Sequence, residues 1–149
     1  MCLVGAAVNV VTTSGSAGRT GFTATAVCSV SDDPGAILFC VNSRSSSLPM
    51  LIDNGVACIN TLRAHQTDIV DMFAGRSKVS GSERFALGTW IDLSNGCPAL
   101  HDGLIAFECR ITEMKAVSTH VVMFGAVTGV RHGSSGAALV YQNRAYKTV

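Results

Sequence analysis

Two stretches of this 149-residue sequence carry polar side chains in patterns that can hold a ligand. The first is Gly21-Phe22-Thr23-Ala24-Thr25-Ala26-Val27-Cys28-Ser29-Val30-Ser31. Side chains alternate along a strand, so Thr23, Thr25, Ser29 and Ser31 share one face, and Ala24, Ala26, Cys28 and Val30 the other. One apolar face and one row of short hydroxyls suit close approach by a polar, planar ligand. Periodicity alone favours an ordinary sandwich strand with a Thr/Ser-rich solvent face. The second stretch, Asn42-Ser43-Arg44-Ser45-Ser46-Ser47, offers hydroxyls, an amide and one guanidinium ahead of an expected helix. Backbone N–H groups converge at such a helix start, which is anion-binding chemistry. A serine-rich N-cap has the same composition.

Several other chemistries are excluded. Gly15-x-x-Gly18-x-x-Gly21 is not the G-x-G-x-x-G dinucleotide fingerprint, and no Walker sequence is present. No G-x-S-x-G nucleophile elbow occurs. Asp32 and Asp33 are adjacent but fall in a Pro-Gly turn, where they are solvated. The six cysteines, at 2, 28, 40, 58, 97 and 109, contain no C-x-x-C pair. Four of them (28, 40, 58 and 109) lie in apolar runs, where a free thiol behaves as a small hydrophobe. Cys97 with His101 and Asp102 is the nearest approach to a cluster, and it falls short of the four ligands of a structural zinc site. The thiols are expected to be free and reduced, which fits the cytoplasm. His120 follows Ser118-Thr119 at the start of a long apolar run, where a lone histidine is more often structural.

Strands must position these groups. Residues 7–13, 22–30, 37–42 and 56–62 are β-branched or apolar runs bounded by turn residues. In 104–116, Ile105, Phe107, Cys109 and Ile111 alternate with Ala106, Glu108, Arg110 and Thr112. The run 120–130 is nearly continuous and predicts a strand buried on both faces. Residues 137–142 close the series. Segments 46–53 and 67–73 predict short helices, the second with an Ile69, Val70, Phe73 stripe and Gly75 as its stop. Glycine-rich segments 15–18, 75–81 and 133–136 are turns or loops. Six or seven strands with two short helices predict a mainly β, mostly antiparallel closed barrel in one domain spanning 1–149.

Hydrophobic residues make up 48% and charged residues only 14%, so some apolar surface is expected to be buried against a second subunit. A formal net charge of +1 leaves no electrostatic footprint for nucleic acid or an anionic membrane. The uncharged opening 1–18 is interrupted by Asn9, Thr12, Thr13, Ser14 and Ser16, and so predicts neither a membrane span nor a signal peptide.

In their order along the chain, these blocks resemble the flavin reductase-like family, the reductase components of two-component flavin monooxygenases. The resemblance rests on residues 6–13, 18–31, 39–47 and 57–62, on Gln66 with Phe73-Ala74-Gly75, and on Glu83-Arg84-Phe85 with Trp90. Gly96-Cys97-Pro98-Ala99-Leu100 and Thr119-His120 complete it. Among family members it is nearest to reductases serving 4-hydroxyphenylacetate oxygenation and pyrimidine breakdown, with corrinoid reductases on the same scaffold also near. The resemblance implies an FMN-binding split β-barrel, Greek-key-like, usually a homodimer. Relatives usually carry a helical segment before the first strand and often continue past the equivalent of Val149, and both extensions are expected to be missing here.

The resemblance also implies roles. The flavin ring is expected against the backbone of Thr25–Ser29, with Thr23, Ala24, Thr25, Ala26, Val27, Cys28 and Ser29 forming its bed. Backbone N–H groups would stabilise the negative charge of reduced flavin without a general base. The phosphate is expected at Asn42, Ser45, Ser46 and Ser47, with Ser45 and Ser47 as the side-chain contacts. Asn60, Thr61 and Gln66 are expected near the ribityl chain or phosphate, and Phe73 near the cofactor. Phe85, Trp90 and Tyr146 either flank the ring or belong to the core. His120 is expected to shape the nicotinamide pocket. The implied reaction is hydride transfer from NADH, or NADPH, to FMN, with FAD as an alternative, and delivery of reduced flavin to an oxygenase. Two alternatives stand beside it: reduction of a cobalt corrinoid by bound flavin, and a non-catalytic FMN-binding electron carrier.

Overall fold

The computed structural model describes residues 1–76 and 78–149. The strands are β1 (Ala6–Ala7), β2 (Asn9–Thr13), β3 (Thr20–Ala24), β4 (Val27–Asp32), β5 (Gly35–Asn42) and β6 (Val56–Thr61). They continue with β7 (Trp90–Asp92), β8 (Pro98–Leu100), β9 (Ile105–Val117), β10 (His120–His132), β11 (Leu139–Gln142) and β12 (Ala145–Thr148). Two helices, α1 (Ser47–Asn54) and α2 (Thr67–Phe73), and a 3-10 turn, Gly81–Ala86, complete the fold. Pro49 sits in the first turn of α1, where the backbone N–H has no intrahelical acceptor to lose. Gly55, at φ 68°, ends that helix and returns its N–H to the Leu51 carbonyl.

Seven strands form one antiparallel sheet in the order β3-β2-β6-β9-β10-β5-β4. Its two edge strands, β3 and β4, are consecutive in sequence and joined only by Thr25 and Ala26. Three Cα steps of 3.8 Å can bridge about 11 Å at most, so the sheet must curl until its edges meet. The result is a mainly β split barrel, as expected.

The expected strand 22–30 is therefore two strands, broken at Thr25–Ala26, with a further register shift between Ser29 and Ser31. The continuous hydroxyl row is interrupted, because the corner and the shift change which face follows. The expected strand 7–13 is likewise split at Val8.

β2 is buried along its whole length, because both of its faces are covered. Val11 joins the barrel interior with Ile37, Phe39, Val41, Ile59 and Met123. Val10, one residue away, faces the opposite side and packs with Leu62, Val70, Phe73, Leu100 and Leu139. The α2 stripe is as expected, with Ile69, Val70 and Phe73 buried. Each such apolar side chain contributes about 1.5–3 kcal/mol on burial.

The alternation in β9 left open which face is covered, and the burial expected of the strand beginning at His120 is corrected. The face of β9 carrying Ala106 and Glu108 is buried, because the β7–β8 hairpin packs Cys97 and Ala99 against it. Glu108 accepts hydrogen bonds from Ser94 Oγ at 2.5 Å and from the Asn95 N–H at 2.8 Å. The strand beginning at His120 is not buried on both faces: Met123 and Gly125 are buried, whereas Val130 is 49% exposed. The β9–β10 hairpin outruns the elements that could cover it, leaving Met114 and Val117 each 48% exposed. β12 and the β7–β8 hairpin had no counterpart among the expected elements. The expected loop 75–81 includes residue 77, which lies outside the described residues.

Candidate functional site

A cleft of about 390 Å³ opens at the split in the barrel. Its floor is the β3–β4 corner. Val27 N–H donates to the Thr25 carbonyl and Cys40 N–H to the Ala26 carbonyl, both at 3.0 Å, so the corner is pinned to β5. Among the described residues, neither the Thr25 nor the Ala26 N–H donates within the chain. The side chains of this corner are small, and Thr25 and Ala26 are exposed, so the backbone itself can be approached.

One wall comes from the end of β5 and the loop that follows it. Asn42 Oδ1 accepts from the Arg44 N–H at 2.9 Å, and Ser45 Oγ accepts from the Ser47 N–H at 3.2 Å. Ser43 donates from both N–H and hydroxyl to the Thr119 carbonyl, each at 3.0 Å, locking this loop to the β9–β10 hairpin. That lock brings His120 alongside, paired across the sheet with Asn42. The imidazole is exposed, and its Nδ1 shares a 2.9 Å hydrogen bond with Thr119 Oγ1. The opposite wall is the end of α2, with Phe73, Ala74 and Gly75, and behind it Arg84 of the 3-10 turn.

Of the expected site residues, Thr23, Ala24, Thr25, Ala26, Asn42, Ser45, Ser46, Phe73 and His120 line this one cleft. Others do not. Ser47 is 1% exposed, and its hydroxyl is spent on Thr20 Oγ1 at 3.0 Å, so Ser46 rather than Ser47 opens on the cleft. Val27 turns inward against the barrel core, while Cys28 and Ser29 follow the ladder away from the corner. Asn60 is buried between Val10 and Pro98 carbonyls, with its Oδ1 accepting from Leu100 N–H at 2.8 Å. Thr61 donates to Asn9 Oδ1, and Gln66 bridges Arg63 N–H and the Asp102 carbonyl. These three hold the scaffold together and do not reach the cleft.

Phe73 serves two ends at once. Its ring lines the cleft, yet it is 1% exposed and packs 5.1 Å from Phe85 and 5.3 Å from Trp90. Phe85 and Trp90 thus belong to the core behind the cleft.

Phe22, Cys40, Ala74, Gly75 and Arg84 also line the cleft and were not assigned to the site from the sequence alone. Arg84 lay inside the Glu83-Arg84-Phe85 block, so its signal was present, but its partner Gly21 is 63 residues away. Cys97 is buried, whereas Asp102 is exposed beside His65 Nε2 at 3.2 Å and Arg63 Nη1 at 3.5 Å. Among the described residues no three metal-ligating side chains are grouped to hold an ion. No helix there is long and apolar enough to cross a membrane.

The residues present fit a flavin mononucleotide. Backbone N–H groups without an internal acceptor and two alanines suit a planar ring with carbonyl acceptors. The serine loop and the Arg84 guanidinium suit a phosphate. Fold and cleft together define a flavin-binding split barrel.

The Flavin reductase like domain family matches residues 1–149, and the chain belongs to it. It is 46% identical over 149 residues to "FMN reductase (NADH) RutF" of Agrobacterium fabrum, covering 100% of this chain and 84% of that protein. The RutF of Bradyrhizobium diazoefficiens is also 46% identical, with 100% and 82% covered. Among solved structures, a protein of Haemophilus somnus 129PT assigned as a flavin reductase superposes with a TM-score of 0.94 at 42% identity, covering 100% and 94%. BorF, the flavin reductase component of a bacterial two-component tryptophan halogenase, superposes with a TM-score of 0.92 at 25% identity, covering 99% and 92%.

Proposed function

We propose that this protein is an NADH-dependent FMN reductase that supplies reduced flavin to a separate oxygenase component. One observation carries the reading: unpaired N–H groups at the Thr25–Ala26 corner face the same cleft as the serine loop, Arg84 and His120. The names of the RutF relatives support FMN and NADH, and that of BorF supports delivery to a partner enzyme.

Bound flavin would supply the two-electron acceptor chemistry. The chain's own work is binding and orientation. The corner N–H groups are fixed dipoles that would stabilise negative charge on a bound ring without reorganising, so no proton-transferring carboxylate would be required. Ala24 and Ala26 keep side chains out of the ring's way. Ser45, Ser46 and Arg84 hold the phosphate by charge-assisted hydrogen bonds. His120, on the hairpin wall, positions the nicotinamide amide. The open cleft lets the donor enter and leave in each cycle.

The 48–52% exposure of the large apolar side chains Met114, Val117, Val130 and Val30 supports a homodimer, which light scattering on the purified protein tests. The free state of all six cysteines supports a cytoplasmic setting.

The decisive experiment is anaerobic NADH oxidation with and without added FMN. FMN-dependent turnover supports the reductase. Flavin binding with no reduction by NADH overturns it in favour of an electron carrier. Addition of a cobalt corrinoid as acceptor tests the other alternative.

A further inference from the structure

The Ala74–Gly75 half of the cleft wall is not held by packing. Ala74 stands between the cleft and a second cavity of about 260 Å³, and lines both. Ala74, Gly75 and Arg76 are exposed, whereas Phe73 before them is anchored by Phe85 and Trp90. Gly75, at φ 73°, has no atom within 4 Å of the place where a Cβ would stand. Glycine is needed there to turn the chain back through left-handed backbone after the helix. Polar contacts therefore fix this segment. Ala74 N–H donates to the Val70 carbonyl at 2.8 Å, and Thr23 Oγ1 donates to the same oxygen at 2.8 Å. Those bonds tie it to β3 on one side. On the other, Asp71 Oδ1 accepts from Arg76 Nη1 at 3.2 Å and from the Tyr146 hydroxyl of β12 at 3.1 Å. Burial first, and the Asp71 charge second, push the Tyr146 hydroxyl above its ordinary range, so it remains a donor.

We propose that Asp71 is a positioning residue of the flavin cleft, clasping Arg76 and Tyr146 so that the Ala74–Gly75 wall keeps its place. The proposal rests on the reading that this cleft holds flavin. Asp71 and Arg76 bracket Phe73, Ala74 and Gly75, so their ion pair closes the loop that carries the wall. Tyr146 anchors the same carboxylate oxygen to the β11–β12 hairpin, which gives the clasp a fixed point outside α2. One oxygen serving two donors couples them, because losing either partner leaves the carboxylate less constrained for the other. With the clasp open, the wall can fall back into the second cavity, and a bound ring loses contact along that side. Such a change speeds flavin release more than it slows entry, since affinity differences at one site lie mainly in the off-rate. Asp71 is not among the residues lining either cavity, so it acts on flavin only through its partners.

The test uses the full chain and its Asp71→Ala, Asp71→Glu, Arg76→Ala and Tyr146→Phe variants. The Asp71 and Arg76 side chains are 49% and 62% exposed, so their replacement leaves the fold intact, and Tyr146→Phe keeps its ring. Release of FMN is followed by stopped flow, with Trp90, which packs on Phe73 in the wall, as the fluorescent probe. Asp71→Ala is expected to raise the release rate about fivefold, the size that one exposed ion pair and one hydrogen bond carry. FMN affinity falls in step, because the entry rate is unchanged. Arg76→Ala and Tyr146→Phe each give a smaller rise, and neither adds to the effect of Asp71→Ala when combined with it. Asp71→Glu, which keeps a carboxylate, recovers part of the loss. A lower Tm with an unaltered release rate would make Asp71 merely structural and overturn the proposal. Full additivity of Asp71→Ala and Tyr146→Phe would overturn it too. The two readings separate cleanly. A wild-type protein that binds no FMN removes the flavin reading, and this role with it. Equal release from the wild type and every variant removes the role alone.

Discussion

Arg84 donates from Nη1 to the carbonyl oxygen of Gly21 at 2.7 Å, tying the 3-10 turn to the first strand of the cleft. The Ser47 hydroxyl reaches the same oxygen at 3.5 Å, and Arg84 Nε donates to the Val79 carbonyl at 3.3 Å. Three segments far apart in sequence thus converge on one carbonyl at the barrel's open edge. The bond blunts that edge while Arg84 still lines the cleft.

Arg84→Ala is expected to lose stability and ligand together. A hydrogen bond from a charged donor contributes about 1.5–3 kcal/mol. A loss of that size lowers Tm by several degrees, and FMN affinity should fall at least tenfold. Arg84→Lys keeps the charge but not the fork, and should recover only part of the affinity. Trp90, the single tryptophan, packs on Phe73 in the cleft wall, so quenching of its fluorescence reports FMN binding. An alanine variant that binds FMN as the parent does would remove Arg84 from the site.

Gly21 has no room for a side chain. A Cβ there would lie 2.9 Å from Phe73 Cε1 and 2.9 Å from the Val11 carbonyl oxygen. Gly21→Ala should cost about 1–3 kcal/mol, the usual range for overpacking. Pairing it with Phe73→Leu should recover part of the loss, since one of the two clashes is with a side chain. Urea unfolding of the four proteins in the cycle measures this, and strict additivity would show that the clash is absent.

Ala26→Leu is expected to separate binding from stability. The position is exposed at the corner, so the fold should tolerate leucine within about 0.5 kcal/mol. The longer side chain would occupy the space over the corner backbone and weaken FMN at least tenfold. Unchanged FMN affinity would place the ring elsewhere.

His120→Ala should leave FMN affinity unchanged and lower kcat/KM for NADH by roughly tenfold, about 1.4 kcal/mol of positioning. Stopped-flow reduction of the flavin-loaded protein measures it. A variant that loses FMN affinity instead would move His120 to the flavin side of the cleft.

Buried thiols set the alkaline limit of stability. Burial, the largest cause, raises Cys97 from 9.0 to about 11 and Cys109 to about 12, and pushes Cys58 higher still. The folded chain keeps these protons where the unfolded chain releases them. Stability is therefore fully present below about pH 9 and falls as pH rises from there toward 11, by up to about 1.4 kcal/mol per pH unit for each group. Urea midpoints between pH 7 and 10.5 should show the decline, and Cys97→Ala should make it shallower. In the native protein, maleimide should label exposed Cys2 and Cys28 and spare Cys58, Cys97 and Cys109.

Much of this was legible in local pattern. The α2 stripe, the apolar runs that became β2, β5 and β6, and the small residues at Thr23–Ala26 follow from periodicities that one segment carries by itself. So did the serine loop, since short hydroxyl side chains before a helix declare a cap or an anion site whatever packs around them. The break at Thr25–Ala26 was not legible, because Thr-Ala alternation reads as unbroken strand. Only the curling of a seven-stranded sheet, which must bring its first and last edges together, forces a corner there. Glu108 is a polar residue in an alternating run, and its burial depends on a hairpin that arrives from residues 90–100. Asn60 and Gln66 have the donors and acceptors that a ligand could use, but backbone carbonyls and N–H groups of neighbouring segments take them first. Arg84 meets Gly21, and His120 meets Asn42, only through long-range pairing. A sequence states which side chains can bury, bond or carry charge. Which element covers each face is decided by contacts between distant segments, and the cleft is built from those contacts.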